Sequence, residues 1–359
     1  MGKSHSNHNG LDLGKFLLSI LVVSVHTSPL KSFSLDVNFW LVQILSRIAV
    51  PVFFTISGYL FFKKADNSTE TKKIWKFEVN AHYYNYITRL LLVYTIWSLI
   101  YLFDVVHRYY GTLANNWWEF GALYAYAAVI YGTYLHLWFF PAVVLAISLV
   151  HFLSKKYSIK KLMVVAFMLF VIGLFGESYY GLIKDVEVVN SFYQTIFAFM
   201  ITTRNGLFFG FFFVAMGAYL AKKPQLLPTM TSRRWLILSL GLLAAESLAL
   251  HYLSDPIDHN LMFGLIPVAY FLFQYLATVK LPDRLDYKFL RDMSALIFFI
   301  HPLFIILFDH TFDGFGVGYM AVRSIIKFSF VFTASFLSSF ILLKLKENGI
   351  FKSVISNLY

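Results

Sequence analysis

Long apolar runs separated by shorter polar segments form the main pattern along the chain. A helix needs roughly 20 mostly apolar residues to cross a bilayer, and ten stretches reach or approach that length. The pattern therefore predicts an all-α fold, a polytopic transmembrane helical bundle of about ten helices. The predicted spans are residues 12–30, 38–62, 85–109, 136–154, 159–176, 206–222, 233–252, 260–279, 292–310 and 318–343.

Three connections between these spans are long. Residues 63–84 are polar, and residues 177–204 are mixed in character. Residues 110–135 contain an apolar piece, Trp117 to Tyr131, which is short for a span and which we interpret as an interfacial or re-entrant segment. No internal repeat and no matching pair of interrupted helices is evident in the sequence, which weakens the interpretation as a secondary transporter.

The placement of the 30 Lys and Arg residues supports this count of spans. When the N-terminus is placed in the cytoplasm and the spans alternate, most basic residues fall on the inner side, as the positive-inside rule requires. The sequence therefore predicts that both termini are cytoplasmic. The basic residues left on the outer side or in outer helix halves are Lys31, Arg47, Arg108, Lys184, Arg204, Arg323 and Lys327.

Composition narrows the class of protein further. Hydrophobic residues make up 58% of the 359 residues and charged residues 14%, whereas soluble domains are about one-quarter charged. One membrane domain over residues 1–359 is therefore expected, rather than water-facing globules. The net charge of +11 is spread between the apolar runs, so no nucleic-acid partner is expected. The absence of cysteine excludes disulfides and thiolate metal sites.

Ionisable residues inside predicted spans are costly and usually face the protein interior or a wet cavity. The first span contains Asp12, Lys15 and His26. Lys15 and His26 are eleven residues apart, which places them on one helix face and roughly 16 Å apart along the axis. A purely structural interpretation stays open, in which Lys15 extends to the inner headgroups and His26 makes one interhelical hydrogen bond.

The second and third spans carry fewer polar residues. In the second span, Arg47 precedes Pro51, which removes a backbone donor and can kink the helix. Ser57 and Gly58 are small, and Gly58 is interpreted as a close helix contact. Arg89 opens the third span, where an ordinary inner anchor is the alternative to a functional role.

Later spans add further ionisable residues. His301 is followed by Pro302, which frees a backbone carbonyl one turn earlier as a potential polar partner. The three histidines of the spans lie on separate helices without supporting carboxylates, so no metal site is expected. The polar and aromatic candidates of these spans are His136, Trp138, Arg204, Glu246, His301, and Arg323, which shares a face with Lys327.

An ordered set of motifs accompanies these residues. The chain resembles the membrane acyltransferase-3 family over about residues 11–343. This family includes bacterial O-acetyltransferases of O-antigen, peptidoglycan and exopolysaccharide. The motifs are Leu11-Asp12-Leu13-Gly14-Lys15, Val22 to His26, Arg47 to Tyr59, Thr88-Arg89-Leu90-Leu91, His136-Leu137-Trp138-Phe139 and Phe298 to Pro302.

The resemblance implies a reaction, and this sequence departs from the usual family pattern at two positions. Family members take an acyl group, here expected to be acetyl, from cytoplasmic acyl-CoA, and deliver it to a cell-envelope glycan or lipid-linked acceptor. His26 matches the histidine that is usually essential. Lys15 stands where an arginine is usual, which keeps the charge but loses the planar fork. Tyr86 stands where a second arginine usually precedes Arg89.

The residues around Thr203 to Phe208 are similar to stand-alone members from Gram-positive bacteria. They are also similar to the membrane module fused to vancomycin-resistance serine racemases. A bacterial plasma membrane is therefore the expected location. A C-terminal extracellular esterase-like domain, found in many relatives, is not expected here. The sequence does not determine the oligomeric state, and a homodimer stays open.

The leading hypothesis is a transmembrane O-acyltransferase that uses acetyl-CoA. Lys15 and Arg89, with Asp12 nearby, would bind the donor, and His26 would act as a general base or as a transient acyl carrier. Arg47, Ser57 or Tyr59 would stabilise the oxyanion. The acceptor or its channel would involve His136, Trp138, Arg204, Glu246, His301 and Arg323.

Two other functions remain open from the sequence. A carrier or flippase of serine or polysaccharide would move its substrate without consuming acyl-CoA. A structural membrane partner would use its buried polar groups only to fix helix packing, so Lys15 and His26 would be replaceable.

Overall fold

A computed structural model describes residues 9–65, 71–74, 77–254, 256–312 and 322–359, without the side chains of residues 73, 74, 77 and 78. Helices dominate these residues, and a two-stranded hairpin accompanies them. The helices are α1 (Asn9–Thr27), α2 (Leu35–Phe39), α3 (Ala49–Ala65), α4 (Ala81–Tyr109), α5 (Trp117–Ile130), α6 (Phe139–Leu153), α7 (Ile159–Phe175), α8 (Glu187–Met200), α9 (Phe211–Ala221), α10 (Thr229–Leu253), α11 (Leu265–Thr278), α12 (Tyr287–Phe312), α13 (Arg323–Glu347) and α14 (Lys352–Ser356).

Each of the ten predicted spans corresponds to a helix or to a continuous helical segment, which confirms the all-α fold class. Within the described residues, six segments are long and apolar enough to cross a membrane, and α6, α9 with its preceding turn, and α11 are shorter apolar helices. The short apolar piece that begins at Trp117 forms α5. The predicted tenth span starts at residue 318, which lies outside the described residues.

Two long connections contain structure that the sequence pattern does not predict. Residues 177–204 include α8. Residues 63–84, interpreted as a polar loop, include an antiparallel hairpin of β1 (Thr71–Ile74) and β2 (Phe77–Asn80). Asn80 then caps α4, because its side-chain oxygen accepts a hydrogen bond from the Tyr83 amide. The third span therefore begins several residues before its predicted start.

The second span changes its winding before Pro51. A π-helical turn over Trp40–Leu45 and a 3-10 turn over Ser46–Ile48 join α2 to α3. Pro51 cannot donate to the carbonyl four residues earlier, and its ring crowds that carbonyl, which belongs to Arg47. The irregular turn thus lies where the proline prevents regular α-helical bonding.

The chain forms two compact units. In the first unit, α1 packs against α12, α13 and the irregular turns before α3. The helices α12 and α13 also pack against each other. Reciprocal hydrogen bonds join Ser32, after α1, to Ser324, at the start of α13: each amide donates to the other hydroxyl, at 3.0 and 3.2 Å. The first unit consists of Met1–Phe53, Gln225–Ala244 and Pro267–Tyr359.

The second unit consists of Phe54–Pro224 and Ala245–Ile266. Within it, α9 and its preceding π-helical turn, Gly206–Gly210, pack against α6 and α7. Gly58 of α3 lies directly against the backbone of Val214, and Gly217 against that of Thr55, so a Cβ at either glycine would overlap main-chain atoms. The interpretation of Gly58 as a close helix contact is therefore confirmed.

Candidate functional site

A pair of histidines lies in the first unit. The ring of His26 in α1 and that of His301 in α12 have centroids 5.3 Å apart and planes tilted by 34°. His301 is fully buried, whereas His26 is partly exposed. The pair forms because α1 packs along α12, a contact between residues far apart in sequence.

The tautomer of His301 follows from its own helix. Its Nδ1 lies 3.1 Å from the Ile297 carbonyl oxygen, so Nδ1 carries the proton and a neutral ring keeps its lone pair on Nε2. The ring also interacts with the Phe298 carbonyl. That carbonyl lacks the usual helical donor because Pro302 has no N–H. The backbone carbonyl that Pro302 leaves without its helical donor was predicted to have a polar partner, and that partner is the His301 ring.

A cluster of charges occupies the other end of α1. The Lys15 Nζ lies 3.9 Å from an Asp12 carboxylate oxygen, which is too long for a hydrogen bond. Arg291 and Asp292 of α12 interact electrostatically with Asp12, and Arg291 pairs with Asp292 at 3.0 Å. Arg291 is not among the predicted site residues, because nothing in its local sequence pattern indicates that α12 lies beside α1.

These two contacts fix the direction of the helices. Asp12, near the N-terminus of α1, interacts electrostatically with Arg291 of α12, and His26, at the C-terminal end of α1, lies against His301 of α12. The two helices are therefore parallel, with a charge cluster at one end and two imidazoles at the other.

Two more predicted residues belong to the first unit. Arg47 lies on the 3-10 turn that packs against α1, and its Nε and Nη2 both donate to the Gln43 side-chain oxygen, at 2.8 and 2.5 Å. Arg323 is the first residue of α13. One turn later, Lys327 forms an ion pair with Asp309 of α12 at 2.7 Å.

Ser57, Tyr59 and Arg89 lie in the second unit. The Ser57 hydroxyl is within hydrogen-bonding reach of Tyr86, the residue that replaces the usual arginine. The Tyr59 hydroxyl accepts a hydrogen bond from Lys63 at 2.8 Å, and the ring is buried. Arg89 is exposed on α4.

His136 is buried in the second unit against two tyrosines. Its ring makes edge contacts with Tyr101 at 5.3 Å and with Tyr134 at 6.2 Å. Tyr134 donates a 2.7 Å hydrogen bond to the buried carboxylate of Asp104. Arg108 pairs with the same carboxylate oxygen at 2.6 Å. Burial, together with the hydrogen bond to Asp104, raises the pKa of Tyr134.

Arg204 and Trp138 form a second polar group in this unit. The Arg204 guanidinium lies 5.0 Å from the centroid of the Trp138 ring, in a cation–π contact. Arg204 also donates to the Asn260 side-chain oxygen at 3.3 Å. The Glu177 carboxylate is nearby and accepts hydrogen bonds from Thr202 and Asn260.

The ionisation of Glu177 follows from its surroundings. Burial raises the pKa of this carboxyl, although the hydrogen bond from Thr202, the charge of Arg204 and the hydrogen bond from Asn260 oppose the shift. Asp258 adds to the increase. The neutral form of Glu177 is therefore favoured relative to an exposed glutamate.

A cavity of about 490 Å³ connects these two polar groups. All of its lining residues belong to the second unit, including Arg108, Tyr134, Trp138, Thr202 and Arg204. Trp138 and Arg204 are acceptor or channel candidates predicted from the sequence, whereas Arg108 and Tyr134 are not among the predicted site residues. The cavity forms from residues of α4, α5 and the loops before α6 and α9, and such a meeting has no local sequence signature.

Glu246 is stabilised by several donors in the second unit. It accepts hydrogen bonds from the Tyr179 hydroxyl at 2.5 Å and from the amides of Phe263 and Gly264 at 2.7 and 2.5 Å. The Glu246 carboxylate thus satisfies two backbone N–H groups of the turn before α11. Within the part of the chain that the structure describes, no group of three or more His, Asp or Glu side chains is arranged to hold a metal ion.

Comparison with known proteins gives one family and several relatives. The family described as an acyltransferase domain, acyltransferase-3, matches residues 8–344. An amino-acid racemase of Enterococcus faecalis is 28% identical over 94% of this chain and 46% of its own length. Another from the same organism is 34% identical over 62% of this chain and 29% of its own length.

A serine/alanine racemase of Enterococcus gallinarum is 29% identical over 82% of this chain and 40% of its own length. The chain thus spans less than half the length of these relatives. No solved structure is significantly similar to the chain.

Proposed function

Because the chain belongs to the acyltransferase-3 family, we propose that this multi-pass membrane acyltransferase moves an acetyl group from cytoplasmic acetyl-CoA to a cell-envelope glycan or lipid-linked acceptor. The proposed location is a bacterial plasma membrane, with both termini in the cytoplasm. One observation carries the proposal: α1 has a charge cluster around Lys15 at one end and His26 against His301 at the other.

His26 is suited to the chemical step because it is the partly exposed member of the histidine pair. As a general base, it would take the proton of the acceptor hydroxyl while that oxygen attacks the thioester carbonyl carbon. The carbon–sulfur bond would then break, and His26 would return the proton to the departing sulfur. As an acyl carrier, the ring nitrogen would attack the thioester carbonyl carbon and coenzyme A would leave as its thiol; the acceptor hydroxyl would then attack the acyl group, lose its proton and release the ring nitrogen. His301 would position the His26 ring in either route.

The donor would bind at the charged end of α1. Lys15 and Arg291 both interact electrostatically with Asp12, so a coenzyme A phosphate would compete with the carboxylates for both cations. Arg89 remains a proposed donor contact because its side chain is exposed and able to reach a solvated phosphate.

Oxyanion stabilisation has three proposed donors. Arg47 belongs to the same unit as His26, on a turn that packs against α1. The Tyr59 hydroxyl accepts a hydrogen bond from Lys63, and a phenol hydroxyl is a donor as well as an acceptor. Ser57 interacts with Tyr86 and would have to exchange that partner for the oxyanion.

An alternative function is transport of an amino acid. The names of the relatives, amino-acid racemase and serine/alanine racemase, are the observation that favours it. The cavity in the second unit would then receive a small zwitterion. Such a carrier would move serine across the membrane without acyl-CoA.

The test uses inverted membrane vesicles that contain the full chain. Radiolabelled acetyl-CoA is added, and the label is followed into the glycan and lipid fractions. We expect His26→Ala to lower transfer by about 10²-fold or more, the usual size of a general-base contribution. His310→Ala, an exposed histidine at the end of α12, is the matched control and should transfer at the wild-type rate.

Membrane insertion of each variant is checked by its yield and by size-exclusion chromatography. A His26→Ala protein that inserts normally and still transfers acetyl would rule out the assigned role. Uptake of radiolabelled serine without acetyl-CoA, unaffected by His26→Ala, would instead support the carrier.

A further inference from the structure

We propose that the cavity in the second unit is a binding site for a small anionic ligand that contains a sugar-sized ring. The inference concerns binding alone and does not depend on acetyl transfer.

The size of the cavity fits such a ligand. Its volume of about 490 Å³ lies within the range of roughly 300–1,000 Å³ that is typical of small-molecule sites. Most of the lining residues are aromatic or aliphatic, and Thr133 and Thr202 are among the polar ones. An aromatic wall with a few polar groups suits a ring that has one apolar face and several hydroxyls.

The charge of the lining determines the sign of the ligand. The two charged residues that line the cavity are both arginines, Arg108 and Arg204. The carboxylates that accompany them, Asp104 and Glu177, are almost fully buried and do not line the cavity. Among the residues that the structure describes, a ligand would therefore meet two guanidinium groups and no carboxylate.

Neither arginine uses all of its N–H groups on the neighbouring carboxylate. The side chain of Arg108 is 49% exposed, and its ion pair with Asp104 is made through Nε. Asp104 is also bound by Tyr134, which keeps that carboxylate in place behind the guanidinium. The planar fork of Arg108 can therefore offer its outer N–H groups to a carboxylate or phosphate.

Arg204 is held from two sides. The Trp138 ring supports one face of its guanidinium, and Asn260 accepts from Nη1. The oxygens of Glu177 are already bonded to Thr202 and Asn260. Arg204 is thus pre-oriented by its neighbours rather than neutralised by a direct ion pair, which lowers the cost of ordering it on binding.

Three probes that differ in one group test the proposal. Binding of methyl glucoside, methyl glucuronide and glucose 1-phosphate to the full chain is measured by calorimetry in a neutral detergent. The first probe is neutral, the second adds a carboxylate and the third a phosphate. We expect both anionic probes to bind at least about tenfold more tightly than the neutral one, because each gains charge-assisted hydrogen bonds.

Variants identify the residues responsible. Arg108→Gln and Arg204→Gln should each weaken binding of the anionic probes by about tenfold and leave the neutral probe nearly unchanged. Arg284→Gln, an exposed arginine in the first unit, is the matched control and should bind like the wild type. Leu135→Trp fills the cavity from an exposed lining position and should weaken all three probes.

A conservative variant and a competitor distinguish loss of the binding group from misfolding, and a soluble ligand from a lipid headgroup. Arg204→Lys keeps the charge and should retain part of the preference for anionic probes. Phosphatidylglycerol is added as a competitor, and displacement of glucose 1-phosphate by this lipid would identify a headgroup as the source of the anion. Equal affinity for the neutral and anionic probes, or no binding of any probe, would overturn the proposal.

Discussion

The rings of His26 and His301 lie 5.3 Å apart, between α1 and α12. His301 is fully buried and bonded through Nδ1 to its own helix, whereas His26 is partly exposed. The two histidines therefore differ in what they can do: only His26 has surface for a substrate, and His301 holds a fixed orientation beside it.

This difference predicts unequal effects of mutation at the two histidines. His301→Gln should lower kcat for acetyl transfer by about 10-fold to 10²-fold, less than His26→Ala, because it removes a neighbour of the ring proposed to react rather than that ring itself. The KM for acetyl-CoA should change little, since the charged end of α1 is unaltered. A large increase in KM with unchanged kcat would contradict a positioning role.

The charged end of α1 gives a complementary prediction. Lys15→Gln should raise the KM for acetyl-CoA by about tenfold with a smaller effect on kcat, because it removes a phosphate contact distant from the reacting carbon. Lys15→Arg should match or improve on the wild-type KM, since a guanidinium can bind phosphate through two bonds. Steady-state kinetics in vesicles provides the measurement, with the exposed Lys31→Gln as control.

The close contact between α3 and α9 predicts a strong dependence on side-chain size. Gly58→Leu would force a side chain against the Val214 backbone and should destabilise the protein by about 1–3 kcal/mol. Gly241→Ala, where nothing lies within 4 Å of the added atom, should be neutral or stabilising by up to about 1 kcal/mol. Thermal unfolding in detergent compares them, and equal melting temperatures would refute the predicted contact.

The raised pKa of Glu177 predicts a dependence of stability on pH. The folded state favours the protonated carboxyl, so this group contributes stability below its unfolded pKa of about 4.5, and that contribution is lost as pH rises through the folded pKa. In the Glu177→Gln variant, the melting temperature should fall less steeply than in the wild type as the pH rises above about 4.5. The exposed Glu187→Gln should leave that slope unchanged, and parallel curves for all three proteins would contradict the assignment.

The helices could be predicted from sequence because an apolar run of membrane length has few alternatives to a helix. The helix α8 was missed because Glu187, Asn190 and Gln194 interrupt its apolar positions, and an amphipathic helix of this kind lacks the continuous run of a span. The hairpin in residues 71–80 was missed because four-residue strands with charged residues give a weak periodic signal.

The site was only partly predictable for a different reason. The charge on Lys15 and the imidazole of His26 stand out locally because they interrupt an apolar helix. Their neighbours Arg291 and His301 depend on which helix packs beside α1, which hydropathy does not encode. The same applies to Arg108 of α4, whose position at a cavity wall with Arg204 depends on how α4 and α5 pack with the loops before α6 and α9.

The bonds between Ser32 and Ser324 join residues separated by 292 positions. At a synthesis rate of about 5–20 residues per second, the ribosome needs roughly 15–60 s to make the second partner after the first. During that interval α1 is already made but lacks α12 and α13. During synthesis, α1, which carries Lys15 and His26, must therefore be accommodated without its native packing partners until α12 and α13 have been made.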